Sequence, residues 1–211
     1  MEAMALRLYK QWVCVLKDFD PMPNAERFIE ILQQAKKNYR KVLADAGNVG
    51  TQVHNAIQTY LATGHEPVAP SDQVTSAFLA FLEWKDAHEV KPLQIKSESK
   101  MGLEYTLYDE ELGVAGTADF IGYIDGELTV ADWKSSKGIY PSHRHQVAAY
   151  FRMATSSPAP ELRGKMERTL ILRLDKETGM PEPKDTTDTL ETDVDIYKAL
   201  AIAYSLMNPI K

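Results

Sequence analysis

The dipeptide Asp125-Gly126 lies between two apolar runs, 117–124 and 128–133, and constrains the fold more than any other feature of the chain. Asp-Gly adopts positive φ readily, as a two-residue hairpin requires, and such a hairpin locks the register of its strands. Counting outward from the turn brings Asp119 close to the level of Asp132. Side chains alternate along a strand, so Asp132 and Lys134 face the same way and Val130 continues their row. Two carboxylates and an ammonium are therefore expected on one patch.

Upstream the pattern is helical. Across 24–43, Phe28, Ile31, Leu32, Ala35, Tyr39 and Val42 form a stripe, and Gly47 suits a helix stop. A second helix is expected over 49–62, with Val53, Ile57, Tyr60 and Leu61 on one face, ended by Gly64 and Pro67. Ser71 can cap a third, carrying Val74, Phe78, Phe81 and Leu82 and stopping before Lys91-Pro92. There the period changes, and 93–101 and 104–108 read as strands. After the hairpin come a helix over 142–153 with Val147, Tyr150 and Phe151 on one face, a strand over 169–174, a polar stretch rich in Pro and Thr, and a closing helix over 194–207. The expected fold is α/β: one unit over 1–211, helical over 1–90, with a central mixed sheet flanked by helices over 91–211.

With 44% hydrophobic and 26% charged residues, the chain has the make-up of an ordered globular protein. No apolar run approaches the roughly 20 residues a membrane span needs. The first ten residues lack a signal-peptide pattern, and the single cysteine, Cys14, excludes an internal disulfide or a cysteine-based zinc site. A cytoplasmic setting is expected. A net charge of −6, from 24 Lys+Arg against 30 Asp+Glu, argues against nucleic-acid binding by charge alone. A nuclease escapes the objection, because its clustered carboxylates hold a cation where the phosphate sits. Basic residues also gather locally, at Lys134, Lys137, His143, Arg144 and His145, then at Arg163, Lys165 and Arg168.

Carboxylates at Asp119 and Asp132 with an ammonium at Lys134 suit phosphodiester hydrolysis: the acids bind a hard divalent ion and the lysine orients water or neutralises growing charge. A D-x-K triplet alone is weak, and the bland reading is a strand end beside a solvated ion pair.

The wider context is more specific. G-T-A-D-F before V-A-D-W-K-S-S, followed by Q-V-A-A-Y, resembles the RecB-type branch of the PD-(D/E)XK nucleases. G-T-Q-V-H-N-A-I from Gly50 resembles the helix that supplies a histidine there, and E-Y-T-L-Y-D-E-E-L-G-V-A-G from Glu104 resembles the acidic strand leading into the Gly-x-x-Asp motif. The likeness spans roughly Gly50 to Tyr150. It implies a restriction-endonuclease-like core, with Asp119 and Asp132 as metal-binding carboxylates, the backbone carbonyl of Trp133 and His54 as further ligands, and Lys134 as the catalytic lysine. Gln146 and Tyr150, one helical turn apart, would hold the substrate backbone or the lysine. Glu104 would be a supporting or second-metal acid, with Glu98 as its rival. The implied cofactor is Mg2+ or Mn2+. Ser135-Ser136 stands where the family often has a threonine after the lysine.

Alternatives remain open at several of these positions. His54 also fits a core histidine bonded to a neighbour, Gln146 and Tyr150 fit helix packing, and Glu104 fits a solvated strand position. His143, Arg144 and His145 read as a solvated loop that can meet phosphate. Of Phe120, Tyr123, Trp133 and Tyr140, each able to stack on bases, all but Tyr140 are expected in the core. The implied function is a metal-dependent DNA exonuclease favouring single strands or ends, in a bacterial or phage-infected cell. The segment 24–89 is a candidate arch admitting a thin strand. A structure-specific endonuclease and a catalytically silent nucleic-acid-binding protein are the other readings, and partners beyond DNA stay open. No four-cysteine iron–sulfur site and no G-x-x-x-x-G-K-[ST] loop is present.

Overall fold

The computed structural model describes residues 25–208. Met1 to Lys10, Cys14 and the side chains of Phe28, Tyr39 and Val42 lie outside the described residues. The chain divides into two compact units, Met1–Asn48 and Val49–Lys211.

In the first unit the described chain is the start of a single helix, α1, Ala25–Thr63. The expected stop at Gly47 does not occur. A glycine ends a helix by turning left-handed. Among the described residues Gly47 is absent from the positive-φ positions, and no proline follows until Pro67. Ile31 and Leu32 of the expected stripe are 46% and 37% exposed.

The second unit holds the rest of α1, then α2 (Asp72–Asp86), a mixed sheet, α3 (Pro141–Ser156) and α4 (Leu190–Met207). Ser71 caps α2 as expected, its hydroxyl accepting from Val74 N. The strands are β1 (Val90–Pro92), β2 (Gln94–Ile95), β3 (Lys100–Met101), β4 (Leu103–Asp109), β5 (Val114–Ile124), β6 (Glu127–Lys134), β7 (Arg168–Leu174) and β8 (Pro181–Asp185). The main sheet runs β1-β5-β6-β7-β8, with β4 pairing the same edge of β5 further along. Among the described residues only β6–β7 is parallel, and α3 is the crossover between them.

The expected strand over 93–101 is instead a small hairpin, β2–β3, turning through residues 96–99 with Ser99 at φ 55°. The Pro/Thr-rich stretch contains β8, which the periodicity hid because its residues are almost all exposed. Pro181 and Pro183 lack ladder donors and are tolerated on an edge strand. The closing helix starts at Leu190, not Val194.

Two cores cover the two faces of the sheet. One packs Val53 and Ile57 of α1 and Phe78, Phe81 and Trp84 of α2 against Phe120, Trp133 and Leu172. The other packs Val147, Tyr150 and Met153 of α3 against Ile121, Val130 and Ile171. Emptying one such site, as Phe81→Ala would, costs about 3–5 kcal/mol. Among the described residues, no helix is long and apolar enough to cross a membrane.

Candidate metal centre

The hairpin register is the one the turn implies. Asp125 and Gly126 have φ of 54° and 91°, and the ladder runs from Ile124↔Glu127 to Phe120↔Ala131. One step further sets Asp119 opposite Asp132. On the other side of β5, Leu103 pairs Phe120 and Tyr105 pairs Ala118, so Glu104 lies opposite Asp119. Glu104, Asp119 and Asp132 thus form one row across three strands.

At that row the alternation of side chains reverses on β4 and β5. Leu103 and Phe120 pack in the α1–α2 core, yet Tyr105 and Ala118, each two residues away, pack in the α3 core. The reversal falls at Glu104, whose φ of 47° is left-handed and strained for a side-chain-bearing residue. The row therefore stands where groups from both helical layers can reach it.

From the α1 side comes His54. Its Nε2 donates to the Trp133 carbonyl at 2.9 Å, leaving Nδ1 at 3.2 Å from Asp119 Oδ1 and 3.8 Å from Glu104 Oε1. The other oxygen of Asp119 accepts from Trp133 N at 2.7 Å and takes over where the ladder ends. Both backbone groups of Trp133 are therefore committed to the site. Its indole is held among Phe81, Trp84 and Phe120, ring centroids 5.6–6.0 Å away, which fixes that peptide. Burial alone would lower the pKa of His54, but its bonds to Asp119 and Glu104, with the charges of Asp119 and Asp132, hold it at about 10.

From the α3 side the row meets Lys134. Its Nζ lies 2.7 Å from Asp132 Oδ2 and donates to Gln146 Oε1 at 3.0 Å. Gln146 Nε2 in turn donates to the Tyr150 hydroxyl at 2.8 Å. Asp132 is only 1% exposed, and its Oδ2 meets the ammonium off the hydrogen-bond direction, so that oxygen is paired by charge alone. Burial first, then the charge of Asp119, raises the Asp132 carboxyl well above the usual range, against the pull of Lys134 and His54. Burial likewise raises Tyr150 to about 12 and keeps it a neutral phenol.

His54, Glu104 and Asp119 offer ligand atoms all within 4.8 Å of one another, a group that can hold a metal ion. Asp132 lies outside that group, and the Trp133 carbonyl adjoins it through its hydrogen bond from His54 Nε2. Glu98 stands apart, accepting from Tyr105 OH at 2.7 Å and Lys100 at 3.0 Å. His143, Arg144 and His145 are on the first turns of α3, not in a loop. Arg144 grips the buried Asp193 of α4, with His145 Nε2 at 3.6 Å from the same carboxylate. Tyr140 is 50% exposed as expected, whereas Tyr123, expected in the core, is 41% exposed.

Two contributors escaped the sequence reading. Arg173 Nε donates to Ser136 O at 2.8 Å and steadies the chain leaving Lys134, a contact no sequence signal marks. Gly116 seats the Tyr150 ring: a Cβ there would come within 2.7 Å of Tyr150 Cε1. A glycine inside a strand was the available clue.

Fold and site together define an α/β protein with a histidine–carboxylate group suited to a metal ion, beside a buried acid–lysine pair. No protein-family model and no curated protein matches the chain.

Proposed function

We propose that this chain is a divalent-metal-dependent DNA exonuclease with a PD-(D/E)XK core of the RecB type, acting on single strands or ends. The observation that carries the reading is the row Glu104–Asp119–Asp132, with His54 closing it from one layer and Lys134 from the other. A merely structural ion pair has no need of three buried or half-buried acids side by side. Carboxylate oxygens with one imidazole suit Mg2+ or Mn2+.

His54, Glu104 and Asp119 would hold the ion. Bound there, it supplies phosphoryl polarisation and hydroxide near neutral pH. Asp132 anchors the Lys134 ammonium, and Gln146 and Tyr150 fix its direction. Lys134 then neutralises charge growing on the phosphoryl oxygens or orients the attacking water. A cytoplasmic setting in a bacterial or phage-infected cell accords with this reading.

The test is digestion of end-labelled single-stranded DNA with Mg2+, Mn2+ or EDTA, for wild type and Lys134→Ala. Metal-dependent digestion is expected, with a fall of about 10²–10³ in the variant and unchanged metal affinity. No digestion with either metal, or undiminished digestion by the variant, would overturn it. Closed circular single-stranded DNA should survive an exonuclease; its cutting would make the enzyme an endonuclease.

A further inference from the structure

A groove leaves the metal centre along α1. It is lined by Gln58, Thr59 and Thr63 on the helix and by Lys100, Leu103 and Glu104 on the strands. Two observations tie it to the site. Glu104 belongs to both the groove and the metal-holding group, and Gln58 lies one helical turn beyond His54 on the same helix.

We propose that this groove binds the DNA strand next to the scissile phosphate, with Lys100 meeting a backbone phosphate. The inference rests on the nuclease reading and adds the path of the substrate. The chemistry of the lining matches a nucleotide: an aliphatic floor at Leu103, an amide at Gln58, hydroxyls at Thr59 and Thr63, and one exposed cation at Lys100. Lys100 is 62% exposed, with its ammonium 3.0 Å from Glu98 and 5.7 Å from the Tyr105 ring centroid. That exposed pair is weak in water, so an arriving phosphate can take over the ammonium. Glu98 keeps its bond from Tyr105 OH meanwhile. The groove volume, about 490 Å³, falls within the roughly 300–1,000 Å³ of small-molecule sites. It accommodates a nucleotide-sized stretch of one strand.

Two variants address the groove without touching the metal-holding group or Lys134. Thr59→Trp fills it, and Lys100→Glu reverses its charge. With a fluorescent twelve-nucleotide oligothymidylate and Mn2+, both are expected to raise KM about tenfold and leave kcat within about twofold, the signature of lost uniform binding. Melting temperatures near wild type would confirm that both variants fold. Wild-type KM in both variants, or a loss in kcat alone, would overturn the groove while leaving the nuclease intact. Absence of cleavage by the wild-type protein itself would remove the nuclease reading, and the groove with it.

Discussion

Glu104 is the residue at which backbone and chemistry meet. Its left-handed φ costs of order 1–3 kcal/mol, and the same residue brings a third carboxylate beside Asp119. Without a metal, the negative potential of the row is met by a proton on His54, whose pKa is raised to about 10. Because that value exceeds the unfolded 6.5, its contribution to stability is complete below pH 6.5 and is lost as pH rises through about 10. A metal ion bound to Nδ1 must displace that proton. Titration calorimetry with Mn2+ at pH 8, in buffers of differing ionisation enthalpy, should therefore show proton release, and His54→Ala should abolish most of it. Buffer-independent heats would show that His54 is not a ligand. Gly116 offers a second test. A methyl there must displace the Tyr150 ring, so Gly116→Ala should cost about 1–3 kcal/mol by overpacking. It should also lower kcat by loosening Gln146 from Lys134. An unchanged melting temperature would contradict the contact.

At the scale of elements, α1 shows what periodicity can and cannot reveal. The apolar positions before and after Gly47 were legible, but the glycine was read as a stop although no residue nearby forbids helix. A Cβ at Gly47 would meet nothing within 4 Å, so Gly47→Ala should stabilise α1 by about 0.5–1 kcal/mol, seen as greater helicity and a higher melting temperature. β8 escaped detection because an edge strand needs no apolar face, and the first turn of α4, from Leu190, because its anchor is polar. That anchor, Asp193, is 1% exposed and receives Arg144 at 2.8 Å and the Thr189 hydroxyl at 2.7 Å. Burial alone would raise its pKa, but Arg144 and Thr189 outweigh it and hold it low. A depressed carboxyl gives its stability above its unfolded pKa of about 3.9 and loses it as pH falls further. The link from α4 to α3 should thus fail only below about pH 4. Asp193→Asn should remove about 1–3 kcal/mol at neutral pH and flatten that acid transition, as measured by urea unfolding from pH 3 to 7.

For the whole molecule, the site was legible because a hairpin transmits sequence spacing into space: Asp125-Gly126 set Asp119 beside Asp132, and both lie where counting put them. What counting could not supply was the contact of Glu104 with that row, which depends on the pairing of β4 across a loop and on a reversal of side-chain alternation. The basic clusters were equally opaque, because sequence does not show which charges are already paired. Arg144, Arg152, Arg168 and Arg173 all close on carboxylates. With those guanidiniums occupied and a net charge of −6, a divalent ion is the concentrated positive charge that the site itself can offer a phosphate. Binding of single-stranded DNA should therefore depend on metal. Fluorescence anisotropy in Ca2+, to hold the ion without demanding turnover, should show binding that EDTA abolishes. Its salt dependence should be shallow, with a log–log slope of about −1.4, corresponding to about two phosphates neutralised on a single strand. A steep slope that persists in EDTA would mean that a basic surface carries the DNA, and would move the functional reading from metal-dependent nuclease to binding protein.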